Sequence, residues 1–409
     1  MVFSVIKKFY FLITIVPLFL KSVIGIFGTV IILILYPLVL IRIGFFQSSR
    51  IGHYVTETQL AILQNDKIKQ SKKRLVFDIW FEYKVISNTF IQSYWRGQLR
   101  VWNRQIMAPI YTVMKRIKMP SRFFIEAHSR DRDLTDSLRL VQRPTLFTSH
   151  QIKEFREVLS RIGLPENAKY ICFHHRDSAY LKNAFPGEDY SYHSYRDSSL
   201  KNYIPGLEKL TERGYYVVRM GNVTAEKLPS KSSSRIIDYA NSDLQSDILD
   251  VFLVSECEYF ISSSSGIDSV ATLLKKPILF LNVSNFSYIA TWQANVMYSF
   301  KHFIDYRKNV ELKVNEIFSR HLNSLLRTQD YTLSDIILQE NSADENVLYI
   351  IEFDDYFRAD KFLVADDLTN LEKQFWKIFP FNLELHPPNV QRCRISQLYL
   401  QKNFSVVKS

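Results

Sequence analysis

The stretch YFISSSSGIDSVATLLKKPILFLN, residues 259–282, decides the fold. It opens with a short apolar run that reads as a strand ending at Ser262. Small residues follow, Ser262-Ser263-Ser264-Ser265-Gly266. Ile267, Val270, Ala271 and Leu274 then fall at i, i+3, i+4 and i+7, one face of a helix. Residues 277–281 return to an unbroken apolar run. Strand, turn, helix, strand is a βαβ unit, which implies a parallel sheet with helices on its faces.

The same alternation continues outward. Residues 170–173 and 215–219 read as strands, and 243–254 as a helix. Asp197 is placed to cap a helix over 197–213, with Leu200, Ile204, Leu207 and Leu210 on one face and Gly214 as its stop. Pro205 and Gly206 interrupt that pattern and allow a later start. Nearer the N-terminus, 39–46 reads as a strand, 47–53 as a polar loop, 55–63 as a helix and 74–79 as a second strand. Residues 88–118 look helical and carry many basic and aromatic side chains. The expected division is 1–38 as a hydrophobic anchor, 39–165 and 166–330 as two domains, and 331–409 as a C-terminal extension free to pack back across the domains. The expected fold class is α/β, two Rossmann-like domains facing a cleft, with an N-terminal membrane-associated hydrophobic segment.

That segment is nearly continuous in apolar residues from 3 to 41, interrupted by Lys7, Lys8, Pro17 and Lys21. Residues 23–41 carry no charge, a length sufficient to cross a bilayer. A cleaved secretory signal fits poorly, since the apolar region is too long and no small-residue cleavage site follows. Two readings stay open: a membrane-crossing helix ending near Pro37, or a hairpin kinked at Pro17 that enters one leaflet. Residues 39–46 belong more naturally to a buried strand.

Composition narrows the class. Of 409 residues 47% are hydrophobic, which fits packed domains and excludes a disordered chain. Three scattered cysteines, Cys172, Cys257 and Cys393, give neither a disulfide framework nor a zinc site. The net charge of +11 calls for an anionic partner, either an acidic lipid surface or a phosphorylated substrate. No basic tail suits nucleic acid, and the tightest cluster, 67–74, reads as a solvated loop.

In open parallel sheets ligands bind beyond the carboxyl ends of the strands. Four segments occupy such places. Ser263, Ser264, Ser265 and Gly266 open a helix and read either as a phosphate-binding turn or as a plain capping turn. His174, His175, Arg176 and Asp177 follow a strand; Arg176 suits a bidentate phosphate clamp, and an Arg–Asp surface pair is the alternative. Arg219 and Gly221 end the next strand on the same edge. In the first domain, Arg50-Ile51-Gly52-His53 follows the first strand. His53 is a residue type suited to a general base, and Glu57 lies one helical turn on, placed to orient it; a capping or core histidine is the competing reading. The loop holding Tyr190, Tyr192, His193, Tyr195 and Arg196 suits stacking on a ring or ordinary packing. Asp243, Asp247 and Asp250 read as dipole-favoured acids on a helix start. The acidic pairs Asp354-Asp355 and Asp366-Asp367 lie away from strand ends and are not read as metal ligands. Neither a P-loop nor a GxGxxG fingerprint occurs.

Taken together, YICFHHRDSAYLK (170–182), YSYHSYRDSSLKNY (190–203), GYYVVRMGN (214–222), FISSSSGIDSVATLLKKPILFLN (260–282) and the early RIGH (50–53) resemble a family of bacterial glycosyltransferases encoded with surface-polysaccharide genes. The last run is also loosely similar to the donor-binding turn of heptosyltransferase-like enzymes. The resemblance covers roughly residues 40–310. It implies a GT-B architecture, with an acceptor domain first and a nucleotide-sugar donor domain second. It implies a metal-independent transfer with no cofactor beyond the nucleotide-sugar co-substrate. Arg176, Arg219, Ser264, Ser265 and Gly266 would then hold the donor phosphates, and His53 would lie near the acceptor. The chain departs from the family in having four serines where a glycine-containing turn is common. The expected partners are a nucleotide-sugar donor, a glycan or polyprenyl-linked acceptor and membrane lipids, at the cytoplasmic face of a bacterial inner membrane. Two rivals stand beside this: a nucleotide-sugar epimerase of similar fold, and a non-catalytic polysaccharide assembly protein.

Overall fold

In the computed structural model the chain forms two compact units, residues 1–131 and 132–409. The structure describes all residues except 1, 71–74, 128–129, 179–182, 184–186, 188, 223, 362–367 and 405–409, and of 2–18 and 66–70 only the backbone. The Asp366-Asp367 pair and the end of the basic cluster, Lys72, Lys73 and Arg74, lie outside the described residues.

The first unit contains α1 (Val2–Leu35), β1 (Val39–Phe46), α2 (Thr58–Gln70), β2 (Leu75–Glu82), α3 (Thr89–Gln98), α4 (Arg104–Arg116) and β3 (Phe124–Ile125). Its strands run parallel in the order β2-β1-β3. The uncharged run 23–41 is therefore not one element. α1 stops at Leu35, and β1 pairs with β2 from Val39↔Leu75 to Phe46↔Glu82. Among the described residues no helix is long and apolar enough to cross a membrane. β1 takes residues 39–41, the end of the run, into a sheet.

One side of α1 is core. A Cβ on Gly25 would meet Pro109 O at 2.8 Å and Val113 Cγ2 at 2.6 Å, and one on Gly28 would meet Ile110 Cδ1 at 2.3 Å. The absence of side chains at these two positions lets α1 lie directly on α4. Ile32 continues that face into a cluster with Leu40, Ile43, Ile79, Met107, Met114 and Phe123. The opposite side exposes Phe19, Ile26, Phe27 and Ile34. Residues 88–118 form two helices rather than one. They part where Val101 bridges Trp80 on the edge of β2 and Asn103 caps α4 by accepting from Gln105 N.

The second unit runs α5 (Ser149–Ser160), β4 (Tyr170–His174), α6 (Ile204–Glu212), β5 (Tyr216–Arg219), β6 (Ile236–Ile237), α7 (Asp247–Glu256), β7 (Phe260–Ser262), α8 (Asp268–Leu273), β8 (Ile278–Val283), β9 (Val296–Phe300), β10 (His302–Asp305), β11 (Val310–Glu311), α9 (Val314–Ser319), α10 (Thr328–Leu333), β12 (Ile336–Gln339), α11 (Ala343–Arg358), α12 (Asn370–Ile378), β13 (Arg394–Ile395) and α13 (Gln397–Asn403). Seven strands form one parallel sheet in the order β13-β9-β8-β7-β4-β5-β6. β4 to β6 grow toward one edge, and the chain then returns to place β7, β8 and β9 on the other side of β4. The order thus reverses between β4 and β7, the place where an open α/β sheet leaves a crevice.

Two expected boundaries move. The units divide at 131/132, not near 165, because residues 132–165 pack on the second sheet's helices: Phe147 and Phe155 lie against Phe252 of α7, ring centroids 5.4 and 5.0 Å away. Residues 331–409 do pack back, as part of the second unit itself. β13 pairs with β9, β12 pairs with β10, and α11 packs on α6. The helix expected over 197–213 starts at Ile204 with Pro205 in its first turn, where a missing N–H costs nothing.

A candidate anion site at the sheet reversal

The carboxyl ends of β4, β5 and β7 bring together three of the segments singled out in the sequence. β4 ends in His174, β5 in Arg219, β7 in Ser262, and Phe173 stands opposite Arg219 in register. Parallel pairing forces this convergence, since neighbouring strands end on one edge. Gly221 lies on the same edge at φ +149°, and a Cβ there would sit 3.0 Å from Thr224 Cγ2 and 4.0 Å from His174 Cδ2.

The serine turn is stitched internally. Ser264 N donates to Ser262 Oγ at 3.0 Å, and Ser265 N donates to Asp268 Oδ2 at 2.7 Å. Ser262 Oγ donates to the same Asp268 oxygen. Ser264 adopts a left-handed φ of +65°, the position where glycine is commonest. These bonds alter how the turn works. Its amides are not an open cradle, because the Asp268 carboxylate occupies one and Ser262 another. The helix behind it is also only six residues long. The turn acts instead as a scaffold. Ser263 N donates to His174 O, Ser263 Oγ accepts from Arg176 N at 2.7 Å, and Ser264 O accepts from Arg196 Nη2 at 2.6 Å. Of the turn's own groups, Ser265 Oγ is buried without a hydrogen-bond partner.

The cations are the unusual part. Arg219 is fully buried, and only its Nη1 is engaged, at 3.3 and 3.4 Å from the Asp238 carboxylate. Its Nε and Nη2 have no hydrogen-bond partner. Burial lowers its pKa, with Asp238 opposing. Arg176 lies 3.5 Å from Asp197 through an Nε that makes no hydrogen bond. Burial, then the Arg196 charge, pushes Arg176 down to about 10. Both histidines are kept neutral. Burial lowers His174 to about 4 and His175 to about 3, with Arg219 adding to each. His174 Nδ1 and His175 Nε2 are buried and make no hydrogen bond, although His175 Nε2 lies 3.7 Å from Glu226.

Several contributors were not singled out from the sequence. Arg196 was noted only in a stacking loop. That loop folds as a 3-10 turn, Ser191–Arg196, and directs its guanidinium onto the serine turn. Lys301 follows the end of β9; its Nζ donates to Asp197 O at 2.5 Å, and burial pushes its pKa down to about 8. Asp268 was legible as an acid three residues after Ser265, the spacing of a cap. Lys301 and Asp238 gave no local signal.

His53 and Glu57 belong to the first unit. They sit on a π-helical turn, His53–Glu57, after β1, and His53 Nδ1 lies 3.1 Å from Glu57 Oε2. Both side chains are about a quarter exposed, at 29% and 26%. Elsewhere, Asp354 is a fully buried ion-pair hub for Arg213 and Arg358. Asp250 heads α7, and burial raises its pKa to about 7. Among the described residues no group of three or more His, Cys, Asp or Glu is placed to hold a metal ion.

No family model matches the chain, and no characterised protein matches by sequence. Solved structures with some likeness include the glycosyl transferase family 9 protein from Veillonella parvula, with 11% identity and TM-score 0.43 over 79% of this chain and 98% of that one. The ADP-heptose heptosyltransferase II of E. coli gives 13% and 0.38 over 63% and 90%. E. coli heptosyltransferase WaaC with ADP gives 10% and 0.33 over 64% and 91%. With every TM-score below 0.5, these likenesses assign neither a family nor an activity.

Proposed function

We propose that the chain is a glycosyltransferase that takes its sugar from a nucleotide-diphosphate donor bound at the reversal between β4 and β7. The observation that carries the reading is Arg219, a buried cation with two nitrogens lacking any acceptor. Asp238 balances the charge, but each buried donor left without an acceptor costs about 1–3 kcal/mol. A fold retains such donors where a ligand supplies the missing acceptors. Arg176 and the two neutral histidines add donors on the same strand ends, so the fitting ligand is a polyanion with several acceptor oxygens. A diphosphate has that character.

In the transfer, the acceptor hydroxyl oxygen bonds to the anomeric carbon as the bond from that carbon to the donor phosphate oxygen breaks. The electron pair leaves with the diphosphate, where Arg176 and Arg219 would stabilise it without a metal ion. The acceptor proton would pass to His53, whose ring Glu57 orients. The acceptor is proposed to be a lipid-linked glycan intermediate at the cytoplasmic face of a bacterial inner membrane. The exposed apolar side of α1, with Phe19 at 69% and Phe27 at 67%, supports attachment from one leaflet.

The test is thermal stabilisation of the full chain by UDP, ADP, GDP and CDP. One nucleotide should raise the melting temperature, and Arg176→Gln should abolish that shift. A folded protein that responds to none of them would remove the donor reading.

A further inference from the structure

The first unit holds a pocket that the donor reading leaves unused. It has a volume of about 640 Å³ and opens at the carboxyl end of β2, between Glu82 and Tyr83, Arg96 at the end of α3, the bridging segment with Arg100 and Trp102, and Arg104 at the start of α4. The bridging segment is fixed by backbone bonds on both sides of Trp80, which donates to Arg100 O and accepts from Trp102 N, each at 2.8 Å.

Its charges are unevenly spent. Glu82 is the one acid in the lining, and Arg96 neutralises it through two bonds of 3.0 and 2.7 Å. Arg100 and Arg104 make no ion pair among the described residues. Each is instead steadied by an aromatic ring: Arg100 lies 4.7 Å from the Phe77 centroid and Arg104 5.8 Å from that of Tyr83. A ring orients a guanidinium without consuming its N–H donors. Arg104 Nε is buried and has no hydrogen-bond partner. The N-terminus of the thirteen-residue α4 adds its positive dipole end to the same wall. Trp102 is 49% exposed and Tyr83 43%, so the cationic pocket also presents two open aromatic rings.

Free guanidinium donors beside open aromatic rings suit a ring-shaped ligand that bears an anion. We infer that this pocket binds an acidic monosaccharide unit, its carboxylate or phosphate held by Arg100 and Arg104 and its ring stacked on Trp102. The inference goes beyond the donor reading and rests on the first unit alone.

Calorimetric titration of the full chain with glucuronate, glucose 6-phosphate and glucose tests it. At least one acidic sugar should bind, and glucose should bind about tenfold more weakly or not at all. Whichever acid binds identifies the anion. Replacing both cations, Arg100→Gln with Arg104→Gln, should raise Kd about tenfold or more. Trp102→Ala should weaken binding with the charges intact. Melting temperatures of the variants should stay near wild type, since neither guanidinium holds an acid. Equal binding of glucose, binding insensitive to these substitutions, or no binding of either acid at millimolar concentration would overturn the proposal. So would phosphatidylglycerol vesicles that bind through Arg100 and Arg104 while neither acidic sugar does, because the pocket would then take a lipid headgroup.

Discussion

Arg219 carries opposite consequences for stability and for binding. Its guanidinium is taken out of water, yet two nitrogens receive no protein acceptor. Removing one member of a buried ion pair is costly when it strands the other, but Asp238 would keep its bonds from Asn241 Nδ2 and Leu228 N. Arg219→Met should therefore leave the ligand-free protein as stable as wild type, or more stable by about 1–2 kcal/mol, while removing nucleotide-induced stabilisation. Denaturation with and without nucleotide reads both effects. A large loss of ligand-free stability would instead make Arg219 a structural partner of Asp238. Arg176 and Arg219 could be found in the sequence because a strand end shows in the apolar pattern and parallel strands end together. Arg196 and Lys301 could not be placed this way. Arg196 reaches the site through a 3-10 turn and Lys301 from β9, two strands beyond β7, so tertiary packing brings them there.

Between elements, a single histidine ties β10, β11 and α11 together. His302 is buried, with Nδ1 on Glu311 and Nε2 3.0 Å from Glu345. Burial opposes its charge, but the two carboxylates prevail and raise it from 6.5 to about 9. A raised folded-state pKa means stability that is complete below about pH 6.5 and lost as pH rises through about 9, on the order of 2–3 kcal/mol. Lys301 beside it works in reverse. Its lowered pKa relieves a burial cost as pH climbs from about 8 toward 10.5. The clamp is therefore read from the difference between wild type and His302→Gln, which should shrink toward zero between about pH 7 and 10 in urea titrations. A difference that does not change with pH would mean the imidazole is not charged. The α1–α4 contact offers a second test. Gly25→Ala forces a methyl onto backbone and should cost about 1–3 kcal/mol. Gly97→Ala in α3, where a Cβ meets nothing within 4 Å, should gain about 0.5–1 kcal/mol. β1, β2, β4, β5, β7 and β8 were legible from apolar runs bounded by turns, whereas β3, β6, β9 to β13 and the order across the sheets were not. The division of residues 23–41 was legible as well, since a helix ending near Pro37 and a strand over 39–46 were read from the sequence and lie close to α1 and β1; hydrophobicity alone left open whether that helix faces lipid or a protein core.

The whole chain divides where composition gives no warning. Residues 164–166 look like a linker, yet the segment before them is fastened to the second unit by several independent contacts. Arg143 Nη2 donates to Ser255 O at 2.7 Å, Arg132 Nη1 donates to Tyr288 O at 2.9 Å, Arg392 pairs with Asp136, and Phe147 covers Phe252. At the other end β13 completes one edge of the main sheet, and Asp354 on α11 accepts from Tyr259 at 3.2 Å. Each is a non-local contact whose partners lie 90 or more positions apart, beyond the reach of periodicity or turn chemistry. A fragment of residues 132–409 should therefore unfold cooperatively and keep the nucleotide-induced shift of the full chain. A fragment of 166–330, the domain suggested by sequence, should be insoluble or molten, because it exposes Phe252 and leaves β9 with an open edge. Far-ultraviolet and near-ultraviolet circular dichroism separate these outcomes. If 166–330 folded as well as 132–409, the flanking contacts would be dispensable and the unit boundary would lie at the linker after all. If 132–409 folded without responding to a nucleotide that stabilises the full chain, nucleotide binding would need the first unit as well.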